Sequence, residues 1–211
     1  MEIKLWAHQE KAITEAKNRD FYGLFADPGT GKTYTTLEIL REKYSQNSGI
    51  LPTLIFCPTV AVNNWRAEIL KYTKIKDEKI ILLQGSQKQR IEQVKDADTN
   101  SVFVTNFEAL AVMKDLIDLI EKKFSEYQEP CVLICDESHK LKDPDSQRTK
   151  RAIKLSAIFK YRFILTGTPI LNDLMDVYSQ FRIMDQGINF GHNYYSFKNR
   201  FFYNENAGKS W

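Results

Sequence analysis

Six short apolar runs constrain the fold of this chain more than any other feature of its sequence. Each run is apolar at successive positions, as expected of strands that are covered on both faces. A sheet with one face in water would instead show apolar residues at every second position. The predicted strands are Phe21–Ala26, Thr53–Cys57, Ile80–Gln84, Val102–Asn106, Val132–Asp136 and Tyr161–Thr166.

Amphipathic helical patterns lie between and around these runs. Strands that alternate with helices over short connections predict an α/β fold, a three-layer parallel sheet with helices on both faces. We expect the strands to end at one common edge, where such folds bind ligands. The predicted helices are Ala7–Lys17, Lys32–Tyr44, Val62–Tyr72, Gln87–Lys95, Glu108–Phe124, Arg148–Phe159 and Leu174–Met184.

Composition excludes several classes of protein. With 43% hydrophobic and 27% charged residues, the chain of 211 residues is a globular protein and not a disordered or fibrous one. A net charge of +3 leaves the kind of partner open. The sequence has no signal peptide and no membrane-spanning run, so we expect a cytoplasmic protein with no membrane partner. Three unclustered cysteines, expected to be reduced core residues, agree: Cys57, Cys131 and Cys135.

The loop Asp27–Thr33, in the segment ADPGTGKT, is typical of a phosphate-binding loop. It follows an apolar strand and opens a helix, so its backbone N–H groups and the helix N-terminus can surround phosphates. Lys32 would reach the β- and γ-phosphates, and the Thr33 hydroxyl would bind Mg²⁺. Ala26 stands where the first glycine of the motif is usual. The remaining loop residues assigned to the nucleotide are Pro28, Gly29, Thr30 and Gly31.

Two further strands deliver polar groups to the same edge. The segment VLICDESH ends in Asp136, a candidate Mg²⁺ ligand, and Glu137, a candidate general base for the attacking water. The segment RFILTGTP, the third motif, brings the hydroxyls of Thr166 and Thr168, which could report the state of the γ-phosphate. Taken alone, these threonines could equally be caps of the next turn.

The order of these motifs resembles superfamily-two helicase-like ATPases, and within them the Swi/Snf-type double-stranded DNA translocases. Ser138 replaces the usual alanine of the DEAH-type box, and Asn106-Phe107 departs from the family's Thr-Tyr-Glu element. Besides the phosphate loop, the resemblance rests on LWAHQEKAI (Leu5–Ile13), LIFCPTVAVNNWRAEI (Leu54–Ile69), VFVTNFEAL (Val102–Leu110), DESHKLKDPDSQRTKRA (Asp136–Ala152) and LTGTPILND (Leu165–Asp173).

The resemblance implies a RecA-like P-loop NTPase lobe that uses ATP and Mg²⁺. Two such lobes close on ATP, and Gln9 of this one would contact the adenine. Double-stranded DNA would run across both lobes and be held through its phosphates, without regard to base sequence. The residues assigned to the nucleic acid are Pro58, Thr59, Asn63, Thr105, Asn106, Lys140 and Lys142.

The resemblance also implies that a second lobe is missing. After Ile183 the sequence lacks the late motifs, whose arginines reach the γ-phosphate. We therefore expect residues 1–184 to form the first lobe and residues 185–211 an aromatic, glycine-containing tail that leads towards the second. Alone, the chain should bind nucleotide weakly and hydrolyse it poorly. The closeness of Gln9 to Met1 suits a compact bacterial or viral protein.

Several alternatives stay open at this point. The chain could be a lobe of a single-strand helicase or restriction-type motor, a non-catalytic ATP switch that recruits partners, or, more distantly, a small-molecule kinase. The basic stretch from Lys140 to Lys154 could extend the DNA path or be a solvated helix face. The aromatic residues of the tail are expected to pack in the core or to form an interface rather than to stack on bases.

Overall fold

The computed structural model describes residues 4–202, and a sheet of six strands runs through the centre of that range. All five pairings are parallel, in the order β1-β6-β5-β2-β4-β3. Four predicted strands are confirmed to the residue, and the other two end one or two residues early. The strands are β1 (Phe21–Phe25), β2 (Thr53–Cys57), β3 (Ile80–Leu82), β4 (Val102–Asn106), β5 (Val132–Asp136) and β6 (Tyr161–Thr166).

Helices cover both faces of this sheet. On one face α1, α2 and α3 pack, and on the other α4 to α8, so the predicted three-layer arrangement is confirmed. The helices are α1 (Ala7–Ala16), α2 (Lys32–Gln46), α3 (Val62–Tyr72), α4 (Gln87–Asp96), α5 (Glu108–Val112), α6 (Lys114–Ser125), α7 (Gln147–Ser156), α8 (Val177–Asp185) and α9 (Tyr194–Phe201).

The two faces carry separate hydrophobic cores. Within β2, Leu54 and Phe56 join the core under α4 to α8, while Ile55 and Cys57 join the core under α1 to α3. All four residues are at most 1% exposed. A strand buried on both sides cannot alternate apolar and polar residues, which explains the continuous apolar runs. The three cysteines are free and buried, as predicted, and burial raises the pKa of Cys57 to about 12.

The single helix predicted over Glu108–Phe124 is wrong, because the chain breaks at Met113 into α5 and α6. Arg151 of α7 donates from Nη1 to the carbonyl oxygens of Leu110 and Ala111, both at 2.8 Å. These carbonyls are then satisfied without a continuing helix. The break therefore depends on a contact about 40 residues away, which hydrophobic periodicity cannot show.

The segment after β6 differs from the sequence prediction in two ways. A 3₁₀ turn, Leu174–Asp176, precedes α8, and the aromatic tail contains a helix, α9, that was not predicted. Phe197 of α9 is 2% exposed and lies 5.0 Å, ring to ring, from Tyr178 of α8. The described tail residues thus pack on α8, as the packing interpretation expected. The boundary at residue 184 stays a prediction, and residues 203–211, with Tyr203 and Trp211, lie outside the described residues.

The parallel arrangement places the carboxyl ends of all six strands at one edge. The phosphate loop follows β1, the acidic pair ends β5, and Thr166 ends β6, so the order β1-β6-β5 makes these three motifs neighbours. Thr59 and Asn106 lie farther along the same edge, after β2 and at the end of β4. Within residues 4–202, no helix is long and apolar enough to cross a membrane.

Candidate nucleotide site and nucleic-acid-facing loops

The phosphate loop is shaped by two glycines. Gly29 and Gly31 have φ values of 81° and 80°, in the left-handed region that side chains rarely adopt. Thr30 closes the loop by donating from its hydroxyl to the carbonyl of Asp27 at 2.7 Å. Since α2 begins at Lys32, its first-turn N–H groups, which lack partners within the helix, open into the loop. The loop therefore has the donors and the helix dipole that an anion requires.

Lys32 lies inside this loop. Its ammonium group donates to the carbonyl of Ala26 at 2.9 Å and to that of Asp27 at 3.3 Å. Its charge is also near enough to Asp136 to oppose the rise that burial causes in the pKa of that carboxyl. The predicted lysine and the predicted acidic residue are therefore brought to one site, with the half-buried Thr33 beside Lys32 in the first turn of α2.

Gln9 lies directly against the phosphate loop. Its side-chain amide, 6% exposed, accepts from the Trp6 N–H at 2.9 Å and donates to the Thr30 carbonyl at 3.4 Å. A Cβ atom on Gly31 would come within 2.5 Å of Gln9 Nε2, and the φ of 80° at Gly31 is left-handed, so this position favours glycine. The adjacent His8 also contacts the Thr30 carbonyl, at 3.1 Å from Nε2. Helix α1 therefore holds the predicted adenine contact next to the loop.

Asp136 is oriented by a tryptophan. The buried indole of Trp65 in α3 donates from Nε1 to Asp136 Oδ2 at 3.0 Å. Burial, with the neighbouring Glu137 charge, raises the pKa of Asp136 above its ordinary value, and the hydrogen bond from Trp65 and the charge of Lys32 offset this only in part. Mg²⁺ commonly takes one or two protein oxygens together with phosphate oxygens and water. The Asp136 carboxylate and the Thr33 hydroxyl are donors of that kind, so the site fits the ion.

Glu137 has an unusual backbone. Its φ and ψ of 55° and 52° are left-handed, which costs a residue other than glycine about 1 kcal/mol or more. The neighbouring Thr166, which is fully buried, donates from its hydroxyl to Glu137 Oε2 at 3.2 Å. The carboxylate is 30% exposed and therefore still reaches the surface of the edge. Strain of this kind is found at functional sites, where the surrounding structure fixes the conformation.

His139 completes a short hydrogen-bonded chain. Burial lowers its pKa below the ordinary value, so the ring is neutral at neutral pH. Its Nδ1 lies 3.0 Å from Thr166 Oγ1 and 3.3 Å from Glu137 Oε2, and since both are acceptors there, Nδ1 carries the proton. The backbone N–H of Thr168 also donates to Thr166 Oγ1, at 3.1 Å. Thr166 thus connects the acidic pair to the third motif, while the Thr168 side chain is exposed.

The serine of the acidic box has a partner in α8. Ser138 is fully buried and donates to Gln180 Oε1 at 2.7 Å. Gln180, 1% exposed, in turn donates to the carbonyl of Pro169 at 2.7 Å. Ser138, which departs from the family's alanine, therefore links the acidic box to the third motif through α8.

Five polar side chains meet where β2 and β4 end. Asn106 donates from Nδ2 to Thr59 Oγ1 at 3.1 Å, and the Thr59 hydroxyl donates to Glu108 Oε2 at 3.1 Å. Arg90 of α4, 7% exposed, donates from Nη1 to Asn106 Oδ1 at 3.1 Å and to Thr105 Oγ1 at 3.3 Å. Burial lowers the pKa of Arg90, and the Glu108 charge opposes that effect. Thr59, Thr105 and Asn106, three of the seven residues predicted to contact the nucleic acid, are thus gathered around a buried arginine.

The basic stretch mostly has partners within the chain. Lys142 pairs with Asp176 at 3.1 Å, Lys154 pairs with Glu121 at 2.8 Å, and Arg151 binds the α5 carbonyls. These contacts favour the solvated helix face over an extended DNA path. Lys140 is exposed, and its assignment to the nucleic acid stays a prediction. Asn63 is also exposed, and its side chain accepts from Gln84 Nε2 at 3.4 Å. Pro58, which precedes it in the same segment, is half-buried.

Sequence reasoning missed the residues that hold the predicted ones in place. The sequence analysis gave no role at the site to Trp65, Arg90, Gln180 or His8. Arg90 sits in a helix of mostly exposed polar residues, so its burial leaves no trace in the pattern. Such supporting residues are found from contacts between distant segments, because their chemistry alone is ordinary.

Comparison with known proteins gives the same result as the motifs. The sequence profile of the SNF2-related domain matches residues 11–209. "Putative protein p41" of Acyrthosiphon pisum secondary endosymbiont phage 1 is 32% identical over 85% of this chain and 38% of that protein. The "Uncharacterized ATP-dependent helicase MG018" of Mycoplasma genitalium is 31% identical over 81% of this chain and 15% of that protein. Human "DNA repair and recombination protein RAD54B" is 33% identical over 76% of this chain and 17% of that protein.

Among solved structures, the "Sulfolobus solfataricus SWI2/SNF2 ATPase core in complex with dsDNA" superposes with a TM-score of 0.73 at 22% identity. The likeness covers 95% of this chain and 39% of that one, and it shows the RecA-like fold. The chain therefore spans well under half the length of the proteins that it matches. On its motif order and on a profile match across nearly all its residues, this chain belongs to the SNF2-related domain family.

Proposed function

We propose that this chain is the ATP-binding lobe of a motor that moves on double-stranded DNA when joined to a second RecA-like lobe. The observation that carries the proposal is the meeting of the phosphate loop, the acidic pair and the third motif at the ends of the adjoining strands β1, β5 and β6. The name of the mycoplasma relative, an ATP-dependent helicase, and the DNA complex of the archaeal ATPase core add support.

In the proposed site each residue has a distinct task. Lys32 and the first-turn N–H groups of α2 hold the phosphates, and Gln9 contacts the adenine. Thr33 and Asp136 supply the protein oxygens for Mg²⁺, which when bound neutralises phosphate charge. Glu137, whose carboxylate is held by Thr166 and His139, orients and polarises the water. Thr166 and Thr168 relay the γ-phosphate state to neighbouring elements.

Catalysis is shared between two lobes in this proposal. An arginine that reaches the γ-phosphate from a partner can raise the rate by about 10³-fold or more. We therefore expect slow hydrolysis by this chain on its own. The DNA phosphates would be met at the ends of β2 and β4, chiefly by Thr59 and Asn106, and contacts to phosphate carry no base-sequence information. Thr105, also assigned to the nucleic acid, is fully buried beneath them, where it accepts from Arg90. Pro58, Asn63 and Lys140 would add to that contact.

A non-catalytic ATP switch is the main rival from another class. A module that only binds nucleotide has no use for a carboxylate fixed as Glu137 is, by two side chains and at the expense of a left-handed backbone. Turnover that depends on Glu137, measured with the second lobe present, separates the two functions. Stimulation of that turnover by duplex rather than by single strands separates a translocase from a single-strand helicase.

The first experiment is titration of the chain with a fluorescent ATP analogue, with and without Mg²⁺. We expect Mg²⁺-dependent binding that Lys32→Ala weakens by at least about tenfold, because charge-assisted contacts to the phosphates are lost. Lys76→Ala, which removes an equal charge from an exposed position, is the matched control and should bind as the wild type does. Equal affinity of the Lys32 and Lys76 variants would contradict the proposal, as would hydrolysis by this chain alone at the rate of an intact motor.

A further inference from the structure

The cluster at the ends of β2 and β4 contains an anion of its own. We propose that the Glu108 carboxylate occupies the place of a DNA phosphate on the Thr59 hydroxyl, to which the Asn106 amide also donates, and that Arg90 is the positioning residue that aims this amide outward. The inference rests on the proposed function, because it takes the phosphate of duplex DNA as the ligand. It adds a built-in competitor that weakens DNA binding.

The direction of the Asn106 amide follows from Arg90. A guanidinium group has donors only, so the Asn106 atom that faces Arg90 Nη1 at 3.1 Å is the oxygen. The amide nitrogen must then point the other way, towards Thr59 at the surface. Arg90 is 7% exposed and also bonds Thr105 and the Gly85 carbonyl, so it is fixed beneath the surface and does not meet the ligand itself.

The Thr59 hydroxyl has one proton to give, and it gives it to Glu108. Thr59 Oγ1 accepts from Asn106 Nδ2 and donates to Glu108 Oε2, both at 3.1 Å. A phosphate oxygen is an acceptor of the same kind as a carboxylate oxygen, and it would need the same proton. The two anions also repel each other, so binding of phosphate requires Glu108 to turn away. Both Thr59 and Glu108 are exposed, so this movement displaces no packed side chain.

Removal of the Glu108 charge should therefore strengthen DNA binding. We expect Glu108→Gln to tighten binding of a short fluorescent duplex of random sequence by about fivefold at low salt, as for a lost exposed charge interaction. Glu126→Gln makes the same change of net charge at an exposed residue that follows α6, on the side of the sheet where the strands begin. That control should change the affinity less than about twofold.

A double-mutant cycle separates local competition from general electrostatics. Thr59→Val combined with Asn106→Asp removes both donors, while an aspartate oxygen still accepts from Arg90. In that background Glu108→Gln should lose most of its effect, because no donor remains to compete for. Arg90→Lys keeps the positive charge but not the forked geometry, and it should likewise reduce the gain from Glu108→Gln. Thermal unfolding of each variant shows that it is folded.

The outcomes distinguish the inference from the function on which it rests. If the folded wild-type chain and Glu108→Gln both fail to bind duplex DNA, the proposed DNA function and the inference are both wrong. If the wild type binds but Glu108→Gln and Glu126→Gln are equivalent, the inference alone is wrong. An undiminished effect of Glu108→Gln in the background without donors also overturns it, since the charge would then act only at long range.

Discussion

At the scale of single residues, Asp136 illustrates how the fold prepares a buried carboxylate for a cation. Burial alone would favour the protonated acid, which cannot serve as an Mg²⁺ ligand. The Trp65 indole N–H, bonded to Oδ2 at 3.0 Å, and the Lys32 charge both favour the ionised form. The tryptophan comes from α3, on a different strand–helix unit from the acidic box. The ionisation of Asp136 therefore depends on side chains from other segments of the chain.

This gives a prediction for the pH dependence of nucleotide binding. Trp65→Phe keeps most of the buried ring but removes the N–H, so the pKa of Asp136 should rise further. Because the carboxylate must be ionised to bind Mg²⁺, binding is lost as the pH falls, and the variant should lose it at a higher pH than the wild type. We expect the Mg²⁺-dependent affinity to fall by up to about tenfold, from one charge-assisted bond.

Titration of the fluorescent ATP analogue across a pH series measures this shift. In an Asp136→Asn background, which has no acid to titrate at this position, Trp65→Phe should leave the pH profile where it is. A pH profile that is the same for the wild type and Trp65→Phe would show that the indole only fills space.

At the scale of elements, the α5–α6 break shows one helix being ended by another. Helix α7 contributes Arg151, whose two bonds of 2.8 Å satisfy the α5 carbonyls that a longer helix would have used. As a result, α5 stays short, and it begins at Glu108, two residues after Asn106, in the cluster proposed to meet DNA. The end of α5 is thus determined by a residue of α7, and its first residue belongs to the proposed site.

Arg151→Ala should lower the free energy of unfolding by about 2 kcal/mol, because two carbonyl groups lose a charged donor. Lys150→Ala on the same helix is the matched control. Its ion pair with Asp145, at 3.6 Å, is largely exposed and is expected to contribute less than about 1 kcal/mol. Urea unfolding of both variants provides the comparison, and amide exchange in α5 should quicken only in Arg151→Ala. Equal free energies for the two variants would remove Arg151 as the cause of the break.

At the scale of the whole molecule, the aromatic tail is joined to the lobe through α8. Phe197 lies against Tyr178 at 5.0 Å and against Phe190 at 4.9 Å, measured between ring centroids. Asp185 at the end of α8 is fully buried and accepts from the N–H groups of Gly187 and Asn189. The described residues after α8 therefore pack against that helix.

Phe197→Ala should then destabilise the entire lobe by about 3 kcal/mol, since a fully packed ring is replaced by a cavity. Tyr195→Ala, on the same helix but 69% exposed, should change the free energy by less than about 0.5 kcal/mol. Urea unfolding followed by far-UV circular dichroism reports on all helices at once. If α9 were an independent unit, Phe197→Ala would leave the main transition unchanged and would quicken amide exchange in α9 alone.

The sequence allowed most of the layout to be predicted because the relevant forces are local. Strands buried on both sides must be apolar throughout, which located β2, β4, β5 and β6 to the residue. The phosphate loop and the acidic pair were found because their chemistry needs a fixed spacing within one segment. The ends of helices were harder to predict. At Met113 the helix stops because an arginine from elsewhere in the chain donates to a carbonyl that would otherwise bond a backbone N–H of the same helix.

By itself, then, the sequence determined the fold class, the common edge of the sheet and the residues Lys32, Asp136 and Glu137 that meet there. Only the tertiary structure decided how those residues are held: Trp65 on Asp136, Thr166 and His139 on Glu137, and Arg90 under Asn106. The physical reason is the range of the interactions. Strand and loop preferences act between neighbours in the chain, whereas a buried polar group must find its partner wherever the folded chain places one.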